Sequence, residues 1–297
     1  MKKSTEQLHA QKMLRVLSHI QEELNSELSL EELANVASMS RYHFHRVFRA
    51  ATGESLQEHI KRLKLERAAQ LIRQSDRKIV GIALESGFNS HEGFSRAFRK
   101  HFKVSPSDYR YLARGQSHSD SNIYYNSDLT NFELRIYGET KMNVSISNYS
   151  GFYAAYVKHI GSYSDVGASW NTLMHWAQKE RIITKSSRYF GIGYDDVSVT
   201  PESKLRYDAC ITLEGARNGD GIIGVQYIKG GLFAVVEHKG SHDSIEETYL
   251  ELYGSWLPKS KYVLADRPCL VEYLNSPFDT KVKELRTLIY LPLVNNE

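Results

Sequence analysis

Arg41, His45 and Arg49 recur at intervals of four, and Tyr42 and Arg46 form the next row of the same helical surface. Such a surface is a set of hydrogen-bond donors. Arg46 can pair with a guanine through two bonds, His45 can donate to a base acceptor, and Arg49 is placed for a phosphate. Taken alone, the row also fits a solvated basic face. The pattern returns fifty positions later: Ser40-Arg41-Tyr42-His43-Phe44-His45-Arg46-Val47-Phe48-Arg49 is matched by Ser90-His91-Glu92-Gly93-Phe94-Ser95-Arg96-Ala97-Phe98-Arg99, with Ser, Phe, Arg, Phe and Arg in the same slots. In the second copy Glu92 and Arg96 face outward and Arg99 and Lys100 lie towards phosphates. Gly93, without a side chain, permits a close backbone approach.

A second kind of chemistry sits in Leu270-Val271-Glu272-Tyr273-Leu274, where a carboxylate interrupts an apolar strand pattern. A buried carboxylate is costly unless it is paired. Glu272 therefore reads either as an acid facing a pocket, flanked by Tyr290, or as a Glu on a solvated edge. His159 and His238 recur with the fold and read as turn residues. No His or Cys group has metal-ligand spacing, and Gly230-Gly231 lacks the Lys-Ser/Thr of a phosphate loop. No catalytic residue, metal or cofactor is expected.

The elements that position these groups are legible from caps and periodicity. Ser29-Leu30-Glu31-Glu32 and Ser55-Leu56-Gln57-Glu58 are capping boxes. The first opens a helix burying Leu30, Leu33, Ala34 and Ala37; Ser40 then caps a second that buries Phe44, Val47, Phe48 and Ala51. Two short helices joined by a few residues make a helix-turn-helix. The second copy runs through Ile79, Ile82 and Ala83, turns at Gly87-Phe88-Asn89 and is capped by Ser90. Between the copies a helix through Leu56, Ile60, Leu63, Ala68, Leu71 and Ile72 forms a rod of roughly 25 Å. That length can hold two reading units about one DNA turn apart. Ser105-Pro106 caps a closing helix.

The second half repeats as well. Gly151-Phe152-Tyr153-Ala154-Ala155-Tyr156-Val157-Lys158-His159-Ile160-Gly161-Ser162 corresponds to Gly231-Leu232-Phe233-Ala234-Val235-Val236-Glu237-His238-Lys239-Gly240-Ser241. Each copy implies a strand, a turn, a helix and a later extended stretch, giving a pseudo-symmetric α+β domain with a central cleft.

At 297 residues the chain has room for about two domains. Its charge is divided: residues 1–115 hold 20 Lys and Arg against 13 Asp and Glu, while the remainder holds 18 against 22. Sixteen of 19 Tyr and all three Trp fall in that remainder. One half suits a polyanion and the other an aromatic-lined surface. Two distant cysteines, Cys210 and Cys269, and the lack of an apolar run behind Met1-Lys2-Lys3 suggest a cytoplasmic protein without a membrane span. The expected organisation is an all-α domain over 1–112 with two helix-turn-helix units, a polar linker over 113–139, and an α+β domain of two repeated modules over 140–297.

Residues 8–112 resemble the DNA-binding domain of the AraC/XylS family of bacterial transcription regulators. The resemblance is carried by Gly87-Phe88-Asn89-Ser90, Phe94-Ser95-Arg96-Ala97-Phe98-Arg99 and Ser105-Pro106-Ser107-Asp108-Tyr109-Arg110. It implies recognition helices that begin at Ser40 and Ser90 and enter successive major grooves, with base contacts on Tyr42, His45, Arg46, Glu92 and Arg96. Residues 140–297 resemble GyrI-like small-molecule-binding domains, through Tyr156-Val157-Lys158-His159-Ile160-Gly161-Ser162-Tyr163, Arg206-Tyr207-Asp208-Ala209-Cys210, Val271-Glu272-Tyr273 and Leu288-Ile289-Tyr290-Leu291-Pro292. Val197 stands where a Pro is usual and Leu288 where a Glu is frequent, which removes one acidic contact. The pairing implies an effector-responsive activator on double-stranded promoter DNA, with RNA polymerase as a partner and a cationic or amphipathic small molecule near Glu272 and Tyr290. Tyr153, Tyr163 and Trp176 are further aromatic candidates. Two alternatives stay open: a hydrolase of small electrophiles with Glu272 as general base, and a protein-binding module.

Overall fold

The computed structural model of the chain describes residues 5–24, 26–115, 142–197 and 200–294. Among the described residues seven helices precede the sheet: α1 (Thr5–Glu22), α2 (Leu30–Val36), α3 (Arg41–Thr52), α4 (Leu56–Gln74), α5 (Ile79–Glu85), α6 (His91–Phe102) and α7 (Pro106–Gly115). Both capping boxes form, Ser29 with Glu32 and Ser55 with Glu58. Ser40 and Ser90 cap α3 and α6, accepting from the backbone N–H of Tyr42 and Gly93. The turn before α6 uses Gly87 at φ 77°, and the turn before α3 places Ser38 at φ 49°. The rod, α4, has 19 residues and is about 28 Å long. Arg110 secures its far end, donating from Nε to the Ile72 carbonyl (3.2 Å) and from Nη2 to that of Arg77 (2.6 Å).

Helix α7 continues to Gly115, three residues past the expected boundary, and the rest of the expected linker, 116–139, lies outside the described residues. Helix α1 carries no strong sequence signature beyond its apolar spacing. It buries Met13, Val16, Leu17 and Ile20.

The second domain is one antiparallel sheet of eight strands in the order β1-β6-β8-β7-β3-β4-β2-β5, numbered along the chain. The strands are β1 (Ser145–Tyr149), β2 (Phe152–Ile160), β3 (Tyr189–Gly193), β4 (Arg206–Leu213), β5 (Gly224–Ile228), β6 (Gly231–Lys239), β7 (Leu270–Tyr273) and β8 (Arg286–Pro292). The order is symmetric about the β7–β3 seam, as the sequence repeat implies. Each module's leading strand, however, pairs with the other module: β1 with β6 and β5 with β2. Only Ser150 and Gly151 separate β1, at one edge, from β2, next to the opposite edge. The sheet must therefore curl until its edges meet. At that closure a Cβ on Gly151 would come within 2.8 Å of the Ile228 carbonyl.

Strand alternation sorts the core. Ala154, Phe190, Cys210, Val235, Leu270 and Tyr290 face the inside of the curl. Ala155, Ala209 and Ile211 face outward under α8 (Gly167–Lys179). Ala234, Val236, Ile289 and Leu291 face outward under α9 (Ile245–Glu251), which continues through a π turn, Leu252–Trp256. This last cluster does not stop at the domain boundary: it runs on without a break into Met13, Val16, Ile20, Phe44, Val47 and Phe48 of the helical domain.

Candidate DNA-reading helices and effector cleft

The two repeated helices, α3 and α6, stand in different surroundings. On α6, Phe94 and Phe98 are buried and Glu92, Arg96, Arg99 and Lys100 are exposed, as an accessible reading surface requires. On α3, Phe44 and Phe48 are buried in the same way, but so are His43 and His45. What covers them is the second domain.

His43 is wholly enclosed. Its Nε2 donates to the Ala265 carbonyl (3.1 Å), which leaves Nδ1 to accept from the Tyr253 hydroxyl (2.6 Å). Burial, reinforced by the Arg46 charge, pulls its pKa from 6.5 down to about 3, so it docks as neutral imidazole. His45 places Nε2 against the Asp196 carboxylate; burial lowers its pKa and Asp196 opposes the shift. Arg46 stacks its guanidinium over Tyr249, 4.0 Å from the ring centre, with Tyr253 at 5.9 Å and the Cys269 thiol at 3.9 Å. Its Nε is buried without a hydrogen-bond partner among the described residues. An unsatisfied buried donor costs about 1–3 kcal/mol, so the ring contact holds Arg46 at a penalty. Arg49 donates to Glu246 at 3.0 Å, both side chains being partly exposed. Tyr42 is half-buried at the rim, where its hydroxyl accepts from Arg41 (3.2 Å). The sequence reading had His45, Arg46 and Arg49 facing outward from the helical domain. They do, and the second domain occupies the space they face.

The cleft residues also divide. Glu272 lies inside the curl, opposite Phe190 on β3 and Leu288 on β8. Arg188, two residues before Phe190 and so on the same face, reaches it as a fork: Nε to Oε1 at 2.7 Å and Nη2 to Oε2 at 2.8 Å. The Tyr290 hydroxyl donates to the same carboxylate at 2.5 Å, and Arg188 Nη2 lies 2.9 Å from that hydroxyl. Burial pushes the Tyr290 phenol well above its ordinary value, and its bond to the Glu272 anion adds to the shift. The Arg188 guanidinium lies 4.8 Å from the Phe190 ring centre and 5.9 Å from that of Phe152. Tyr149, Phe233 and Tyr290 complete an aromatic cluster around only about 10 Å³ of space. Outside Arg188 opens a cleft of about 740 Å³, bordered by Tyr149, Phe152, Thr184, Thr212 and Arg217.

Glu272 and Tyr290 are thus together, and the other three aromatic candidates lie elsewhere. Tyr153 packs on Tyr227 at the surface. The Tyr163 hydroxyl bonds to the carbonyls of Asp195 (2.9 Å) and Arg206 (3.0 Å), a structural task. Trp176 belongs to α8 and is buried in the cluster between that helix and the outer face of the sheet. Arg188 was missed, although a cation one strand period before Phe190, next to an isolated buried acid, was the available signal. His159 and His238 hold their turns as expected, each within 2.9 Å of a serine carbonyl three residues on. Among the described residues no His, Cys, Asp and Glu group could hold a metal, and no helix is long and apolar enough to cross a membrane.

Comparison with known proteins agrees with this architecture. Residues 142–294 match the GyrI-like small molecule binding domain family, and residues 33–111 match a helix-turn-helix domain family. An HTH-type transcriptional regulator of Bacillus subtilis, YbfP, is 26% identical over 65% of this chain and 70% of its own. Regulatory protein SoxS of Salmonella typhimurium is 34% identical over 35% of this chain and 96% of its own. The solved EcmrR–DNA complex aligns over 89% of this chain and 98% of its own, at 14% identity and a TM-score of 0.46. With half of its length in the one family and its helical domain covering nearly all of SoxS, the chain belongs to the DNA-binding transcription regulators of AraC type that carry a GyrI-like domain as their second half.

Proposed function

We propose that the curled domain binds an amphipathic small molecule at the Arg188–Glu272–Tyr290 cluster and that this binding governs how the helical domain engages promoter DNA and, through it, RNA polymerase in the cytoplasm. The observation that carries the proposal is the guanidinium of Arg188 itself. It is a cation seated on a buried carboxylate and ringed by aromatic faces, which is the environment a lipophilic cation would seek. The protein fills its own site. A cationic effector entering from the 740 Å³ cleft exchanges places with Arg188, and a neutral one lacks the charge to do so.

The same geometry favours binding over hydrolysis. Both oxygens of Glu272 accept from Arg188 and one also accepts from Tyr290, so the carboxylate is held by a cation and a phenol and is a poor base towards water. The test is a tryptophan-fluorescence titration with a lipophilic phosphonium cation and a neutral isostere. Removing the internal competitor with Arg188→Ala is expected to tighten cation binding by about tenfold, equivalent to about 1.4 kcal/mol, and Glu272→Gln to weaken it by at least as much. Equal affinity for cation and isostere in all three proteins would defeat the exchange.

A further inference from the structure

The face built from α9, its π turn and the loops around Asp196 and Ala265 does more than bury apolar surface. It presents carboxylates (Asp196, Glu246), aromatic rings (Tyr249, Tyr253) and a carbonyl (Ala265), and each meets a donor of α3. Three of those donors, His45, Arg46 and Arg49, are the side chains that point to base edges and phosphates in the first helix-turn-helix. A face that offers anions and acceptors to a reading helix is chemically a substitute for DNA.

We infer that this face is a built-in competitor for the first recognition helix: α3 is held either by the second domain or by a major groove, never by both. Exclusion follows from geometry. The occupied side chains are the ones a groove would need, and His43 and His45 are buried by the contact. The resting chain therefore reads DNA with α6 alone, through the exposed Glu92, Arg96, Arg99 and Lys100. The dock is also poised to lose. Arg46 Nε and His45 Nδ1 have no hydrogen-bond partner in it among the described residues, whereas a guanine edge or a phosphate supplies acceptors.

The dock adjoins the effector cluster through one short strand. Cys269, beside Arg46 and Tyr253, immediately precedes β7, and Glu272 is three residues further on. Strand alternation turns Cys269 to the dock side and Glu272 to the inside of the curl. Rearrangement at Arg188–Glu272 reaches the dock through β7, a step that rests on the effector reading above; the competition itself does not depend on it.

The test enriches duplexes from a random-sequence pool separately with the full-length protein and with Asp196→Asn/Glu246→Gln, changes that lie in neither reading helix nor the cleft and remove only the carboxylates that α3 meets. The parent is expected to select one half-site. The double variant is expected to select two, about one helical turn apart, and to bind that longer duplex roughly tenfold or more tightly than the parent does. Glu246→Gln alone, at a partly exposed position, should move affinity the same way and keeps the test valid if the double variant does not fold. Identical motifs and affinities for parent and variants would overturn the competition. Enrichment of no motif by any of these proteins would instead overturn the DNA reading of the helices. A parent that already selects both half-sites would show that the dock does not exclude DNA.

Discussion

Helices α3 and α6 share five of the ten residues from their capping serines onward, including both phenylalanines and both arginines, yet one is covered and the other open. The residues that differ explain the divergence. At the two positions where α3 has His43 and His45, α6 has Gly93 and Ser95. Those histidines supply the ring nitrogens that meet Tyr253, Ala265 and Asp196. The shared residues build a helix-turn-helix; the unshared ones decide what each helix is bound to. The chain thus uses one template twice and gives the first copy a second partner inside the same molecule.

The widest separation between the copies should appear in their stability. Phe98→Ala removes a ring that packs against Phe94, Phe102 and Tyr109, at a cost of about 3–5 kcal/mol. Its cluster joins the second unit to the far half of α4 and does not include the second domain, so a calorimetric scan is expected to show an early transition separate from the main one. Phe48→Ala, equivalent in sequence, sits in the cluster shared with the second domain and should instead lower the main transition as a whole. Two separate transitions for both variants would erase the contrast.

A smaller effect concerns recognition. Arg96→Ala in the full chain is expected to weaken specific binding by about 1–3 kcal/mol, whereas Arg46→Ala should change it by only a few tenths, because Arg46 stacks on Tyr249 and does not reach DNA. In the isolated helical domain the two losses should become comparable. Equal losses in the full chain, read by titration at fixed salt, would mean that α3 is already in the groove.

The smallest expected effect is a response to acid. His43 is neutral when docked, with its pKa depressed to about 3, while a free imidazole titrates near 6.5. A depressed pKa means that docking is at full strength above about pH 6.5 and weakens as pH falls from there towards 3, by about 1.4 kcal/mol per unit. The groups facing His43 are Tyr253 across the contact and Arg46 and His45 on its own helix; the Arg46 charge adds to the penalty for protonation. Hydrogen exchange, corrected for intrinsic rates, should show α3 losing about fivefold protection between pH 6.5 and 5.5, and about tenfold for the next unit, while α6 changes little. Parallel losses in both helices would assign the change to general acid destabilisation.

Much of this was legible in the sequence because it is local. Capping boxes, the Phe pairs and the two internal repeats each lie within a short window, and their physics needs no partner from elsewhere. The docking of α3 was not, since an outward row of His and Arg on a helix looks the same whether it faces solvent, DNA or another domain. His43 and Tyr253 are 210 residues apart, and nothing in the spacing of either announces the other. The exchanged edge strands were hidden for a related reason: the repeat predicts two similar modules but not that β1 and β5 cross to each other's module. Glu272 is a buried carboxylate that needs a partner, as its place in an apolar strand requires, and the cation that pairs with it in this structure is the chain's own Arg188.

The π turn after α9 carries a consequence for how such a dock arises. A π turn is one residue more than an α-helix needs, and it shifts everything beyond it by about 100° around the axis. Tyr249 lies before that extra residue and Tyr253 within the turn, and together they cradle Arg46. The extra residue sets the rotation of Leu257, beyond the turn, relative to the ring pair that cradles Arg46. The length of this segment, and not only its residue types, therefore tunes the face that α3 meets.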